Sequence, residues 1–420
     1  MGFSQEKYSL ERFIAEMLEK DFGILMLKNE VEIAGNNNNP AAAGYLPTIQ
    51  ATADQNWSSN NTRQEFFSGM VNEADAAKNT STNAAIRLNW TFFDGFRMFA
   101  TDKRLDLLQE NSTMQLTAEM EMKIYQASVL FYTVLQQERM LEIYRQALEL
   151  SRARYDLLDL KRRNGAASEI QMIQARLDLT ADSSVVLNAQ KLISQGKADM
   201  NRFLNKDPSS SFSIEGEFTM EMQLDWEQSW NNAKTQNTDI LLAKSVIAVR
   251  DMERKEVHSF FYPQLSFYSQ IAFARSENEV GILNSNRTFG PGVGITLQWT
   301  ILDRLATFTA LKNNTIQQEN ANLQVQEQEL LLQSELKKAF TEYEWAVKTM
   351  QLENQNKQES ELNFSIAQKA YEAGSITNLE LREVQFSIVQ AQNRFFQVQL
   401  ILKTAELNLA LITGDFKKLI

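Results

Sequence analysis

Cysteine is absent from the 420 residues, which excludes a disulfide framework, thiolate metal sites and a cysteine nucleophile. His258 is the single histidine, so a His-rich zinc site lacks ligands and a hydrolase triad is disfavoured. Basic residues number 42 against 53 acidic ones, and a net charge of -11 is unlike the basic stripe of a nucleic-acid binder. No run of about 18 consecutive apolar residues is present, so no transmembrane helix is expected. Proline and glycine are scarce, at 5 and 15 residues. Residues 97–207 and 292–420 contain no proline at all and are rich in Leu, Gln, Glu, Lys and Ala. Tracts of that kind read as long helices.

What is present is a repeat. LNWTFFDGFRMFATDK (88–103) aligns with LQWTILDRLATFTALK (297–312), placing Trp90 on Trp299 and Asp94 on Asp303, 209 residues apart. Gly165 falls on Gly374 at the same spacing, while further upstream Lys28 pairs with Lys244 and Pro47 with Pro263, 216 residues apart. The organisation read from this is two structural repeats, 1–216 and 217–420, joined by a turn-rich linker around 205–218 that adds a short strand. In the first, a helix over 10–33 precedes strands near 45–58 and 82–93, a long helix to 164 and a return helix 167–204. In the second, a helix over 226–257 precedes strands near 262–275 and 289–302, a long helix to 373 and a return helix 376–413.

The strands alternate with period two. Ile86, Leu88 and Trp90 oppose Arg87, Asn89 and Thr91; Val293, Ile295, Leu297 and Trp299 oppose Thr296, Gln298 and Thr300. Pro263, Leu265, Phe267, Ile271 and Phe273 follow the same rule, and Ile49, Ala51, Ala53 and Trp57 follow it more weakly. Alternation alone describes a soluble antiparallel sheet with one buried face. However, no second apolar strand set is available to cover this sheet, and no helix interleaves within either strand pair. The long helices point the same way. About 65–70 residues separate Asp94 from Gly165 and Asp303 from Gly374, roughly 100 Å of helix. Apolar positions recur at three and four through Leu336, Ala339, Phe340, Tyr343 and Met350, and at seven through Ile316, Leu323 and Leu330, a coiled-coil-like seam. Four strands cannot close a barrel in lipid, so spanning a membrane requires several copies.

The ordered set YLPTI and YPQL at the first strands, the two LxWTxxD junctions, and YEAGSITNLELREVQ (371–385) resembles the TolC family of outer-membrane efflux proteins over essentially the whole chain. The resemblance implies an α+β membrane protein: a homotrimer sharing one transmembrane β-barrel, four strands per chain, continuous with a long α-helical periplasmic barrel. It implies a duct in the outer membrane of a Gram-negative bacterium, in contact with outer-membrane lipid and with no cofactor, metal, enzymatic activity or nucleic-acid partner. Its partners would be a periplasmic adaptor (membrane fusion protein) and an inner-membrane transporter of RND, ABC or MFS type, for efflux of small molecules or for type I protein secretion. A removed signal peptide is then expected, because MGFSQEK has no charged and apolar leader. Two competing readings are a soluble coiled-coil scaffold, which leaves the strands unemployed, and an enzyme with a helical body, which lacks a convergent catalytic set.

Family correspondence places Glu380 and Glu383, six and nine residues after Gly374, at a periplasmic gate where threefold symmetry stacks two carboxylate rings. Tyr371 matches a family tyrosine that can hydrogen-bond across the closed tip. Ile376 stands where the family often has arginine, and Gln171 where the first repeat would be acidic, so a weakly latched tip is expected. Gly165 and Gly374 would end the long helices at the hairpin tips, where adaptors dock. Trp57, Trp90 and Trp299 are read as membrane-interface aromatics, and His258 as a structural residue.

Overall fold

The computed structural model describes residues 6–219 and 225–415. Its two compact units cut across the repeat. One takes residues up to 30, 113–243 and from 324 onward; the other takes 31–112 and 244–323. Each half of the sequence contributes to both units.

In chain order the elements begin with β1 (Glu6–Tyr8), α1 (Leu10–Lys20), α2 (Phe22–Asn37), α3 (Pro40–Ala43), β2 (Thr48–Glu65) and β3 (Val71–Phe93). Two helices follow, α4 (Arg97–Arg163) and α5 (Glu169–Phe203), then the short β4 (Phe212–Ile214). The same order returns as α6 (Trp226–Gln236), α7 (Thr238–His258), β5 (Gln264–Asn278), β6 (Ser285–Gln298), α8 (Ala306–Glu372) and α9 (Asn378–Thr413). Both long helices, α4 and α8, are 67 residues.

The single helices expected over 10–33 and 226–257 are each broken in two. At the break the Asp21 carboxylate accepts from the amide of Ile24, and the Asn237 side chain accepts from those of Asp239 and Ile240. A side-chain acceptor at an N-cap satisfies the first free amides of the next helix, so the chain restarts there at little cost. Asp21 and Asn237 are 216 residues apart, the offset of that part of the repeat.

One unit carries a four-stranded antiparallel sheet in the order β2-β3-β5-β6. The strands run further than the sequence suggests, because β3 begins at Val71 rather than near 82 and β2 continues to Glu65. Those added residues alternate poorly and hold together through ladder pairs such as Gln64↔Asn72, past a bulge between Asn60 and Thr62. Strand β6 stops at Gln298, before the expected 302. The register stacks the alternating residues into rows. Ala51, Ile86, Ile271 and Pro291 form one row, and Ile49, Leu88, Ser269 and Val293 the next. The apolar rows run from the Phe273–Phe289 pair to the Leu265–Leu297 pair. That is about 26 Å along the strand, or about 20 Å upright at a ~40° tilt, close to the apolar band of an outer-membrane barrel. This face is bare: Ile49, Phe289, Val293 and Ile295 are each about 70% exposed.

The other unit is helical. Helix α1 starts at the Ser9 cap, which accepts from Arg12 N, and buries Phe13, Ile14 and Met17 on one face. Phe13 stacks on Phe131 of α4 and meets Phe203 of α5 edge-on. Helices α8 and α9 join through Leu336, Phe340 and Leu409, then through Ala346, Met350, Val398 and Leu402. Each of these apart from Ala346, when fully buried, contributes about 1.5–3 kcal/mol. The seven-spaced Ile316, Leu323 and Leu330 are instead 55–68% exposed and belong to no seam among the described residues. By length and composition, α9 is apolar enough to cross a membrane, contrary to the sequence expectation. Half of its most apolar window is buried, and Lys403 and Glu406 pair within it at 3.3 Å, as in the core helix of a packed body.

Strand β1 pairs in parallel with β4 and ties the beginning of the chain to the linker. A polar clasp surrounds it. The Tyr8 hydroxyl donates to Glu16 at 2.8 Å, while Lys206 reaches Tyr8, Glu6 and Glu16, and Lys20 reaches Glu16 at 2.7 Å. Burial disfavours the Glu16 carboxylate, but donation from Lys20, Tyr8 and Lys206 prevails and holds its pKa at about 2. A depressed carboxylate pKa stabilises the fold above the unfolded value and stops doing so as pH falls through the folded one. Glu16→Gln should therefore lower stability by about 1–3 kcal/mol at neutral pH. Thermal melts in detergent should show its gap to the parent closing between about pH 4.5 and pH 2.

Candidate functional site

The ends of α4 and α8 are built alike. Gly165 and Gly374 have φ of 72° and 73°, the left-handed region that glycine enters without strain. At the first, Gly165 N donates to Arg162 O and Ala166 N to Lys161 O; at the second, Gly374 N donates to Tyr371 O and Ser375 N to Ala370 O. This double bond pattern closes a helix end by satisfying its last carbonyls. Nothing lies within 4 Å of the position a Cβ would take at either glycine, so backbone conformation alone requires glycine there.

The return helices start alike too. Ser168 caps α5 and Thr377 caps α9, each hydroxyl accepting from the amide three residues on. Reciprocally, the Gln171 side chain accepts from Ser168 N at 2.9 Å and the Glu380 carboxylate from Thr377 N at 2.6 Å. These are capping boxes. The Thr377 backbone and side chain lower the Glu380 pKa, so the group is held ionised. In the sequence Glu380 stands out for its charge and Gln171 for lacking one, and neither expectation includes their local capping role. The S/T-x-x-E/Q spacing of Ser168–Gln171 and Thr377–Glu380 was the available signal. Glu383 is exposed and one turn further along α9, Ile376 lies in the connecting turn, and Tyr371 is half-buried in the last turn of α8.

A polar layer that the sequence did not reveal lies further along these helices. Arg382 of α9 forks onto Asp182 of α5 with bonds of 2.7 and 2.8 Å and lies 3.7 Å from Asp178. Ser151 of α4 donates to the same Asp182 and accepts from Arg154 at 2.9 Å. Burial works against the Arg382 charge, but Asp182 and Asp178 outweigh it and raise its pKa. Arg154 is lowered by burial and then by Arg382, and two of its nitrogens are buried without a partner. Gln385 donates to the Ala147 carbonyl at 3.0 Å. Together these contacts tie α9 to α4 and α5. The Asp178–Asp182 spacing is legible in the sequence, but its cation arrives from 200 residues away.

In the sheet-bearing unit, Trp90 and Trp299 close the lower rim of the apolar band. Their indole N–H groups donate to the carbonyls of Tyr45 and Phe261, at 2.9 and 3.1 Å, while their rings stay half-exposed. An apolar ring with a satisfied N–H suits a membrane interface. Trp57 differs: its neighbours in the register are Thr80, then Glu277 and Ser285, two rows beyond the apolar band. His258 ends α7 with its ring against Phe261 and Tyr262.

Residues 230–415 match the model of the family described as outer membrane efflux protein. That match covers a little under half of the chain. The fold is shared with solved outer membrane proteins over nearly the whole chain. The outer membrane protein VceC of Vibrio cholerae superposes with TM-score 0.77 at 16% identity, covering 96% of both chains. The Campylobacter jejuni CmeC outer membrane channel gives 0.82 at 13%, covering 97% of this chain and 85% of its own. The open state of the Neisseria gonorrhoeae MtrE outer membrane channel gives 0.72 at 14%, covering 96% and 88%. No curated protein sequence matches the chain.

The matched capping boxes make a simple comparison. Thr377→Ala should weaken the α9 start by about 1 kcal/mol, and Glu380→Ala should weaken it more than Glu380→Gln, whose amide oxygen can still accept from Thr377 N as Gln171 does from Ser168 N in the first hairpin. Hydrogen exchange at residues 377–381 would report it.

Proposed function

We propose that this chain is an outer-membrane efflux protein, one third of a passive exit duct for small molecules. Three copies place twelve strands in one barrel across the outer membrane, and their helices form a periplasmic tunnel. The observation that carries the reading is the sheet itself. One face is apolar but for Ser269 and bare, the other polar, and among the described residues no strand pairs beyond β2 or β6. Lipid does not tolerate open edges, so further copies must close the sheet. Bare Ile316, Leu323 and Leu330 on α8 offer neighbouring copies a helical seam as well.

The hairpin tips at Gly165 and Gly374 serve as the docking site for a periplasmic adaptor coupled to an inner-membrane transporter of RND, ABC or MFS type. The gate combines two features. Glu380 and Glu383 present carboxylates near the tip, and the Arg382–Asp182–Ser151 layer ties α9 to the first hairpin. Opening requires the second hairpin to move relative to the first, so that layer must yield or travel with it. The duct needs no energy source of its own; partners supply the work.

Mass measurement of detergent-extracted protein should return three chains, and a detergent-free monomer would end this reading. Position within the band supplies a graded test. Val293→Arg, mid-band, should cost about 2–4 kcal/mol, Leu297→Arg at the rim about 1 or less, and Thr296→Arg on the polar face little. Equal damage from all three in urea unfolding from vesicles would reject the assignment of faces. At the gate, Glu380→Gln with Glu383→Gln should reduce cation preference and block by divalent cations while the trimer mass stays the same. Single-channel recording in asymmetric salt measures both.

A further inference from the structure

The polar face of the sheet is nearly uncharged. Between the Asp54–Asn83 row and the Gln264–Gln298 row, its residues are small or neutral apart from Asp54 itself and Arg87. Arg87 is held in place. Its Nε and Nη2 both donate to Gln270 Oε1, at 3.0 and 2.7 Å, and its guanidinium lies 5.6 Å from the centre of the Tyr268 ring. Tyr268 is positioned in turn by Gly294 on β6, where a Cβ would come within 2.7 Å of the tyrosine ring. Both of these partners are neutral, and Arg87 makes no ion pair among the described residues. A cation oriented by neutral groups keeps its field, whereas one paired with a carboxylate does not.

We propose that Arg87 is an oxyanion-recognition position in the barrel lumen, forming with its two symmetry copies a ring that favours solutes bearing carboxylate, sulfate or phosphate groups. The inference rests on the duct reading above and adds a specificity to it. A guanidinium offers planar paired donors that match such groups, and rings of arginine favour anions in pores. Twelve strands at about 4.8 Å spacing and ~40° tilt enclose a barrel roughly 24 Å across between backbones. At 0.01 M salt the Debye length is about 30 Å, so the ring acts across the whole lumen; at 0.15 M, about 8 Å, only a solute near the wall feels it. Asp54 lies four residues further toward the hairpin end, about 13 Å along the strand, and its carboxylate accepts from Asn83. It acts in the opposite sense.

The test uses the full-length trimer in planar bilayers, with Glu380→Gln and Glu383→Gln in every channel so that tip carboxylates do not mask the lumen. Reversal potentials are measured in a KCl gradient from 0.01 M, with sodium tripolyphosphate then added as the probe oxyanion. Relative to that background, Arg87→Gln should reduce the anion-to-cation permeability ratio about twofold or more and abolish tripolyphosphate block. Arg87→Lys should retain the permeability ratio but weaken tripolyphosphate block, because it keeps the charge without the paired planar donors, whereas loss of a purely structural role through Gln270 and Tyr268 would move the ratio as well. Gln270→Glu, which neutralises the ring without removing Arg87, should reproduce the Gln phenotype, and Asp54→Asn should shift the ratio toward anions. If Arg87→Gln fails to assemble, Gln270→Glu decides. Conducting channels with unchanged ratio and block in Arg87→Gln or Gln270→Glu overturn the role of Arg87 and leave the duct standing. Absence of conductance in every channel overturns the duct, and this inference with it.

Discussion

Backbone hydrogen bonding at the two outer strands is the constraint on which the rest of this structure depends. Strands β2 and β6 each present a row of N–H and C=O groups that no other strand among the described residues takes up. In water such edges invite unspecific pairing, and in lipid each unpaired group costs several kcal/mol. A four-stranded sheet with a bare apolar face is therefore not a finished object. It makes sense only where a hydrocarbon surface covers the face and equivalent strands meet the edges. The extended ladder, with its side chains sorted into apolar and polar rows, is the local half of that solution.

At the hairpin tips Glu380 has a local task beside the electrostatic one proposed for it. The Glu380 carboxylate closes the first turn of α9, a role that needs an acceptor but not a charge, since the amide of Gln171 fills it at the start of α5. Its ionisation is thus free to be used electrostatically. Glu383 has no such local task. The Arg382 layer belongs to another class of interaction, in which charges largely removed from water are worth keeping only as a connected set.

Much of this architecture was legible in the sequence. Period-two alternation located four strands, and the spacing of Trp90, Asp94 and Gly165 to their counterparts located the long helices, because both signals are local. Three features were not. The breaks at Asp21 and Asn237 interrupt helical periodicity without a proline or glycine, and only the cap geometry shows them. The outer extension of β2 and β3 is polar on both faces, so it carries no alternation to detect. The Arg382–Asp182 pair joins residues 200 positions apart, and no local pattern announces which of many exposed charges will meet. Trp57 shows the opposite error: its parity on the strand is right, but its height can be judged only from the residues beside it in the ladder.

The separation of paired residues along the chain also sets an order of events during folding. Helices α4 and α5, and again α8 and α9, meet their neighbours across a short turn and lose little loop entropy in doing so. Strand β3 meets β5 with Arg87 and Gln270 183 residues apart, and the intervening chain contains the whole first helical hairpin. Closing so long a loop is favourable only after that chain has been shortened by its own structure. The sheet is thus completed late, once the first hairpin exists, and its apolar face stays unassembled until then. Under the proposed duct reading, in which the chain crosses water before it reaches lipid, slow topology of this kind keeps the adhesive surface from forming too soon.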